Sequence, residues 1–256
     1  MRNSDGSGVI VGRLVILSGP SCVGKGPLYA ALKKFYPEWA GKLVRFVLYD
    51  SRAPRPGEVD GVDFHFRSRE YIESLRDKAG YSVFAVRADL QAMDAHELER
   101  KLAVSDVFFE GNPYIGSGLL DFVAEHQTEC LSIFLSPLAR EEITELKAPG
   151  KRVSLADLLA DVMRRKLLRR TTRHKAVLSL GDLEDIEIRA TSAYGELQQA
   201  WRFDYVIPNH DGEDCENWDA FYYPVGDARK TLLSFAGLLE GRTPPHVETW
   251  ERDLVP

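Results

Sequence analysis

The sequence is poor in cysteine: Cys22, Cys130 and Cys215 are the only three in 256 residues, far apart and without metal-ligand spacing. They spell neither a disulfide framework nor a zinc site, and the usage fits a reducing cytoplasm. No apolar run reaches the roughly 18 residues that a membrane-spanning helix needs. The opening "MRNSDGSGV" lacks the apolar core of a signal peptide, so a cytoplasmic protein is expected. Positive charge is not in excess, since 33 Lys and Arg face 39 Asp and Glu, a net charge of −6. A global basic field for nucleic acid or acidic membrane is thereby excluded, which leaves room only for a local anion site. His65, His174 and His210 stand singly, with no paired spacing, and no catalysis is assigned to them. Internal repeats and low-complexity tracts are missing too. What is there is an ordinary globular composition, 44% hydrophobic and 28% charged, long enough for one large or two small domains.

Apolar, β-branched runs alternate with helical patterns along most of the chain. "GRLVILSG" is a continuous apolar run, as in a central parallel strand buried on both faces. "DVFFEGN", "CLSIFLSP" and "FDYVIPN" read as further strands. Helices are predicted over "PLYAALKKFY", Gly116–Glu125, Leu138–Lys147 and Glu184–Trp201. Strands alternating with helices predict a parallel α/β sheet. Two stretches interrupt the alternation. One holds the turn-rich "SRAPRPGEVDGVDFHF", a short helix over Arg69–Asp77 and the strand-like "YSVFAVRA". The other opens a helix at Ser154, with Asp157 three positions on, and carries seven Lys and Arg within residues 164–175. Such a run is either a solvated face or a phosphate-neutralising one.

Gly19-Pro20-Ser21-Cys22-Val23-Gly24-Lys25 follows a predicted strand and precedes a predicted helix. Glycines there let successive main-chain N–H groups curl around a phosphate, and the helix start adds its positive dipole end. Lys25 then reaches the β- and γ-phosphates of ATP as a mobile point charge. The pattern ends in Gly26, where a Ser or Thr hydroxyl usually ligates Mg2+. A water can fill that place, because magnesium keeps several waters in nucleotide sites. Ser21 either donates to phosphate or serves the backbone. Cys22 either fills space or, in the positive potential of the loop, carries a lowered pKa that makes it oxidation-prone.

With Ser51-Arg52, Arg55, Gly57, Glu58, Gly61, Asp63 and Phe66 at the right distance after that loop, the chain resembles the guanylate kinase family. "FFEGN", "IEIRATSAYGEL" and "FDYVIPN" match later family segments in order. The resemblance implies a doubly wound parallel sheet of the P-loop NTPase type with a small acceptor-binding insertion and a helical lid. Residues 10–49 and 101–241 then form the core, 50–100 the insertion and 148–180 the lid, with a frayed start at 1–9 and a tail at 242–256. It implies catalytic roles for Lys25, Arg52, Arg170 and Arg189, the last two neutralising the transferring phosphoryl group, with Arg165, Arg169 and Arg173 as other lid candidates. Gly19, Ser21, Cys22, Val23, Gly24, Lys25, Gly26 and Asn209 would hold the nucleotide. Arg52, Arg55, Phe64, Asp89, Gln91, Glu110 and Asn112 would hold the acceptor.

The base side departs from the family pattern. Leu48 and Val83 stand where guanine-reading polar groups are expected, Phe64 lacks a tyrosine's hydroxyl, and "LQAMD" holds no tyrosine. Glu110 either holds a magnesium-bound water or caps a helix or pairs with an arginine. The loop "NHDGEDCENWD" is either a solvated connection or the source of a compensating metal ligand. The function implied is ATP- and Mg2+-dependent transfer to a nucleoside monophosphate, GMP or dGMP by default. A non-catalytic binding module and a kinase for another small phosphorylated acceptor are the alternatives, while a nucleic-acid end as acceptor sits poorly with the −6 charge.

Overall fold

The computed structural model describes residues 12–55, 57–150 and 153–256, so the proposed frayed start at 1–9 lies outside the described residues. In chain order the strands are β1 (Leu14–Ser18), β2 (Leu43–Arg45), β3 (Tyr49–Asp50), β4 (His65–Phe66), β5 (Tyr81–Val86), β6 (Asp89–Asp94), β7 (Asp106–Gly111), β8 (Cys130–Ser136) and β9 (Tyr205–Pro208). The helices are α1 (Lys25–Phe35), α2 (Pro37–Ala40), α3 (Arg69–Glu73), α4 (Ala95–Leu102), α5 (Pro113–His126), α6 (Arg140–Leu146), α7 (Leu155–His174), α8 (Leu180–Leu197) and α9 (Gly226–Leu239).

Among the described residues two sheets form, ordered β2-β7-β1-β8-β9 and β4-β3-β6-β5. In the first, β2 runs parallel to β7 with Leu43 opposite Asp106, and β8 parallel to β9 with Ile133 opposite Tyr205. Parallel neighbours need long crossovers, and the helices between the strands supply them. Every residue of β1 is fully buried, which is why its sequence runs apolar without alternating. This is the mixed α/β fold with a parallel sheet that the alternation predicts, of the P-loop type that the resemblance implies.

The described residues gather in two compact units. One takes those up to Val15, Lys42–Phe109 and Val123–Cys130, and so is wider than the insertion drawn at 50–100. Its four-stranded sheet packs Leu90 and Ala92 against Ile72 and Leu75, with Tyr49, Tyr81 and Val83 alongside. The β5–β6 hairpin turns on two residues, and Arg87 takes a left-handed φ of 60° there. The second unit takes Ile16–Gly41, Glu110–Phe122 and Leu131–Pro256. Within it, Ser154 caps α7 by accepting from the Asp157 N–H, as the sequence predicts. The tail is tied down by an antiparallel bridge between Val206 and Glu248, and Trp250 is buried. No helix among the described residues is long and apolar enough to cross a membrane.

Candidate active site

β1 delivers the chain into the phosphate loop, which bends through three left-handed positions: Gly19 (φ 150°), Cys22 (φ 64°) and Gly24 (φ 104°). A Cβ at Gly19 would stand 2.4 Å from the Leu135 carbonyl, and one at Gly24 2.6 Å from Asn209 Nδ2. Cys22 holds its conformation without glycine's freedom, at a cost of about 1–2 kcal/mol. Lys25 opens α1 and folds back into the loop, its Nζ donating to the Gly19 carbonyl at 2.7 Å and the Pro20 carbonyl at 2.9 Å. A curled main chain with a helix N-terminus behind it fits a polyphosphate. Asn209, fully buried after β9, braces the loop by donating from Nδ2 to the Val23 carbonyl at 2.8 Å. Ser21 is half-buried within the same turn.

One alternative for this loop, an activated Cys22, is corrected by burial. Burial raises the Cys22 thiol to about 12, and Glu213 adds to the rise while Arg170 opposes it, so the thiol is not activated. Among the described residues no cluster of three or more His, Cys, Asp or Glu is placed to hold a metal. Gly26 is exposed, and a Cβ there would meet nothing within 4 Å. Gly26 thus offers no ligand of its own, and a metal ion held beside the nucleotide's phosphates would take a water in that place.

Three carboxylates of the loop after β9 pair with cations of α7. Arg170 donates to Glu213 Oε2 at 2.8 Å, Arg169 Nε lies 3.4 Å from Asp214, and Arg173 lies 3.5 Å from Glu216. Lys166 donates to the His210 carbonyl. Arg164 turns the other way and clasps Glu187 of α8 at 2.6 and 2.8 Å. Arg189 is buried on α8, with its Nε 2.8 Å from Asp185. Asn112 donates to Glu196 at 2.9 Å and accepts from the Tyr114 N–H at 2.9 Å, so it starts α5 and ties it to α8. Glu110, next to last in β7, is half-buried in the same unit.

A cavity of about 640 Å³ opens between α6, α7 and the loop after β9. Leu138, Leu146, Leu158 and Val162 give it apolar walls, and His210 and Asp214 give it polar ones. Asp214 is 5% exposed, and its Oδ1 has no hydrogen-bond partner among the described residues. His210 bridges Asp227 at 2.6 Å and Glu142 at 2.9 Å. Burial would lower its pKa, but the two carboxylates outweigh that and raise it.

The other unit holds Arg52, Arg55, Phe64, Asp89 and Gln91. Asp50, which the sequence reading passes over, organises them. It is fully buried and accepts from the Arg52 N–H at 3.0 Å and from Gln91 Nε2 at 2.7 Å. Burial raises its carboxyl above the usual range despite those bonds. The Arg52 guanidinium makes a two-pronged bond to Glu58 at 2.6 and 2.7 Å. It lies 5.1 Å from the Phe64 ring centre and 5.3 Å from that of Phe66. Burial alone would raise Glu58, but hydrogen bonds from Arg52 and from the Arg55 N–H outweigh it and hold it below the glutamate range. Arg55 itself is exposed. The cross-strand registers Asp50–Phe66 and Asp50–Gln91 were the missing signal, because they put residues far apart in sequence on one face.

A phosphate-cradling turn between a buried strand of a parallel sheet and a helix defines the P-loop class of α/β proteins. Residues 11–82 match the guanylate kinase family model. The chain is similar to the guanylate kinase of Synechococcus sp. (strain JA-3-3Ab), 30% identical over 83% of each chain. It is also similar to guanylate kinase 1 of Oryza sativa subsp. japonica, 28% identical over 78% of this chain but only 45% of that protein. The solved guanylate kinase of Anaplasma phagocytophilum matches in fold, with a TM-score of 0.52 at 19% identity over 91% of this chain and 86% of that one. The chain belongs to the guanylate kinase family.

Proposed function

We propose that the protein transfers the γ-phosphoryl group of ATP to a nucleoside monophosphate, with GMP or dGMP as the first acceptors to test. The observation that carries this reading is the left-handed turn from Gly19 to Gly24 with the Lys25 ammonium folded inside it. Main-chain N–H groups of the turn receive the donor's phosphates, and Lys25 exchanges two carbonyl partners for phosphate oxygens. Arg170 and Arg189 supply positive charge to the transferring group, whose reaction asks little of a protein beyond alignment and charge stabilisation. Arg52, steadied by Glu58 and two phenylalanine rings, grips the acceptor's phosphate, with Arg55 as the second cation. Asp89, Gln91, Glu110 and Asn112 are the polar candidates for reading the acceptor, with Gln91 Nε2 already held by Asp50 and Asn112 Nδ2 by Glu196. The cavity beside α7 suits the donor's base in size and in its apolar walls. A divalent ion, when bound, would supply charge neutralisation at the phosphates.

One observation favours the alternative of a non-catalytic binding module: Gly26 brings no hydroxyl to a metal ion, and the space beside it is open. The test is to incubate the protein with ATP, magnesium and a panel of monophosphates, beside Lys25→Ala. Turnover well above Lys25→Ala on GMP, dGMP or another monophosphate supports the kinase. Turnover no higher than Lys25→Ala on every acceptor, together with no ATP binding by calorimetry, overturns it in favour of the binding module.

A further inference from the structure

Glu213 is the carboxylate of the 209–219 loop whose partner belongs to the proposed transfer machinery. Its loop is anchored by its main chain to the phosphate loop, as well as by Lys166, Arg169 and Arg173 to α7, the helix that Glu213 grips. The Glu213 N–H donates to the Cys22 carbonyl at 3.3 Å, and a Cβ on Gly212 would stand 2.2 Å from that same oxygen, so the two main chains touch. Asn209 adds its bond to Val23. Behind them, the Asp211 carboxylate accepts from the Ala228 N–H at 3.0 Å and from Asn217 at 2.9 Å, and Trp218 Nε1 donates to the Asp211 carbonyl at 2.7 Å. Glu213 is therefore fixed relative to the phosphates' seat, and through a 2.8 Å ion pair it fixes Arg170 there too. The side chains of that pair are only 22% and 23% exposed, so water screens it less than the outer pairs of α7.

We propose that Glu213 is a positioning residue for phosphoryl transfer, holding Arg170 at the phosphate loop in the orientation that the reaction uses. The proposal rests on the kinase reading above. An arginine on a long helix has many rotamers, and catalysis by charge is efficient only when the charge is in place before the reaction begins. A rigid carboxylate that leaves the outer guanidinium hydrogens for a phosphate does this. The opposite role, a carboxylate that competes with phosphate for Arg170, predicts the opposite kinetics.

The experiment is steady-state kinetics of the full chain with ATP and its best monophosphate, comparing wild type, Glu213→Gln, Glu213→Asp, Arg170→Ala and the Glu213→Gln/Arg170→Ala double variant. Glu213→Gln is expected to lower kcat about tenfold with the acceptor's KM unchanged, as for a misplaced charge. Glu213→Asp should recover part of that loss. With Arg170 already removed, Glu213→Gln should cost nothing further, since coupled residues are not additive. A kcat at or above wild type in Glu213→Gln, or full additivity in the double variant, overturns the proposal. Thermal melts of each variant separate a kinetic loss from a folding loss, and a loss of kcat explained wholly by unfolding also overturns it. A wild-type chain that turns over no acceptor instead removes the kinase reading on which the proposal stands.

Discussion

The phosphate loop is shaped by main-chain conformation with the Lys25 ammonium folded into it, whereas the four-stranded sheet of the other unit holds side chains already bonded to one another. Gly19 and Gly24 set the first by conformation alone, with φ of 150° and 104°. Arg52, Glu58, Asp50 and Gln91 set the second as a hydrogen-bonded chain assembled from two strands and a turn. The first design tolerates side-chain change wherever no Cβ intrudes. The second is sensitive to the charge of every member, because a buried carboxylate or guanidinium left without its partner is costly.

Breaking the comparison on the main-chain side should give the largest effect. Gly24→Ala places a Cβ 2.6 Å from Asn209 Nδ2 and 3.2 Å from Trp218 at a left-handed φ. It should cost about 1–3 kcal/mol in stability and lower turnover about a hundredfold, read by denaturant melts and kinetics. Gly26→Ala, two residues on, adds the same carbon in open space and should stabilise α1 by up to about 1 kcal/mol. Equal outcomes for the two would dissolve the contrast. On the side-chain side, Glu58→Gln keeps the shape but removes the charge that holds Arg52. The acceptor's KM should rise about tenfold while the ATP KM stays put, at a stability cost of about 1–2 kcal/mol. An unchanged acceptor KM would mean that Arg52 needs no fixing.

The smallest effect concerns His210 between Glu142 and Asp227. Its folded pKa is raised, so its contribution is fully present below the ordinary value of 6.5 and is lost as pH rises through the raised folded value. The ring is 47% exposed, and solvent screening holds that contribution to at most about 1 kcal/mol. His210→Asn should therefore destabilise the chain near pH 6 and approach neutrality near pH 9 in urea titrations. A penalty that does not vary with pH would mean that packing, and not charge, is what the ring supplies.

The phosphate side was legible in the sequence because it is written locally. Gly19, Gly24 and Lys25 lie within one turn, and the apolar run before them announces a buried strand. Strand β6 and helix α9 were not foreseen. The segment "DLQAMD" mixes polar and apolar residues, and only the pairing of Val83 with Ala92 and of Asp50 with Gln91 makes a strand of it. "GDARKTLLSFAGLL" lies past the last resembling motif, and its Ala228, Leu232, Phe235, Ala236 and Leu239 declare themselves as core by burial. Cys22 shows the limit of reasoning from nearby charge, since burial outweighed the cations and moved the thiol in the opposite direction.

The sequence by itself determined the anion cradle, the alternation of strands and helices, and the cap that starts α7. Each is a matter of φ, ψ and hydrophobic period over a few neighbouring residues. Tertiary structure alone decided which partner each carboxylate finds: Glu213 takes the Arg170 guanidinium from 43 positions away, and Asp50 takes the Gln91 amide from 41. Charge attracts without regard to chain order, and only the packed fold brings such groups within the three ångströms where a hydrogen bond forms.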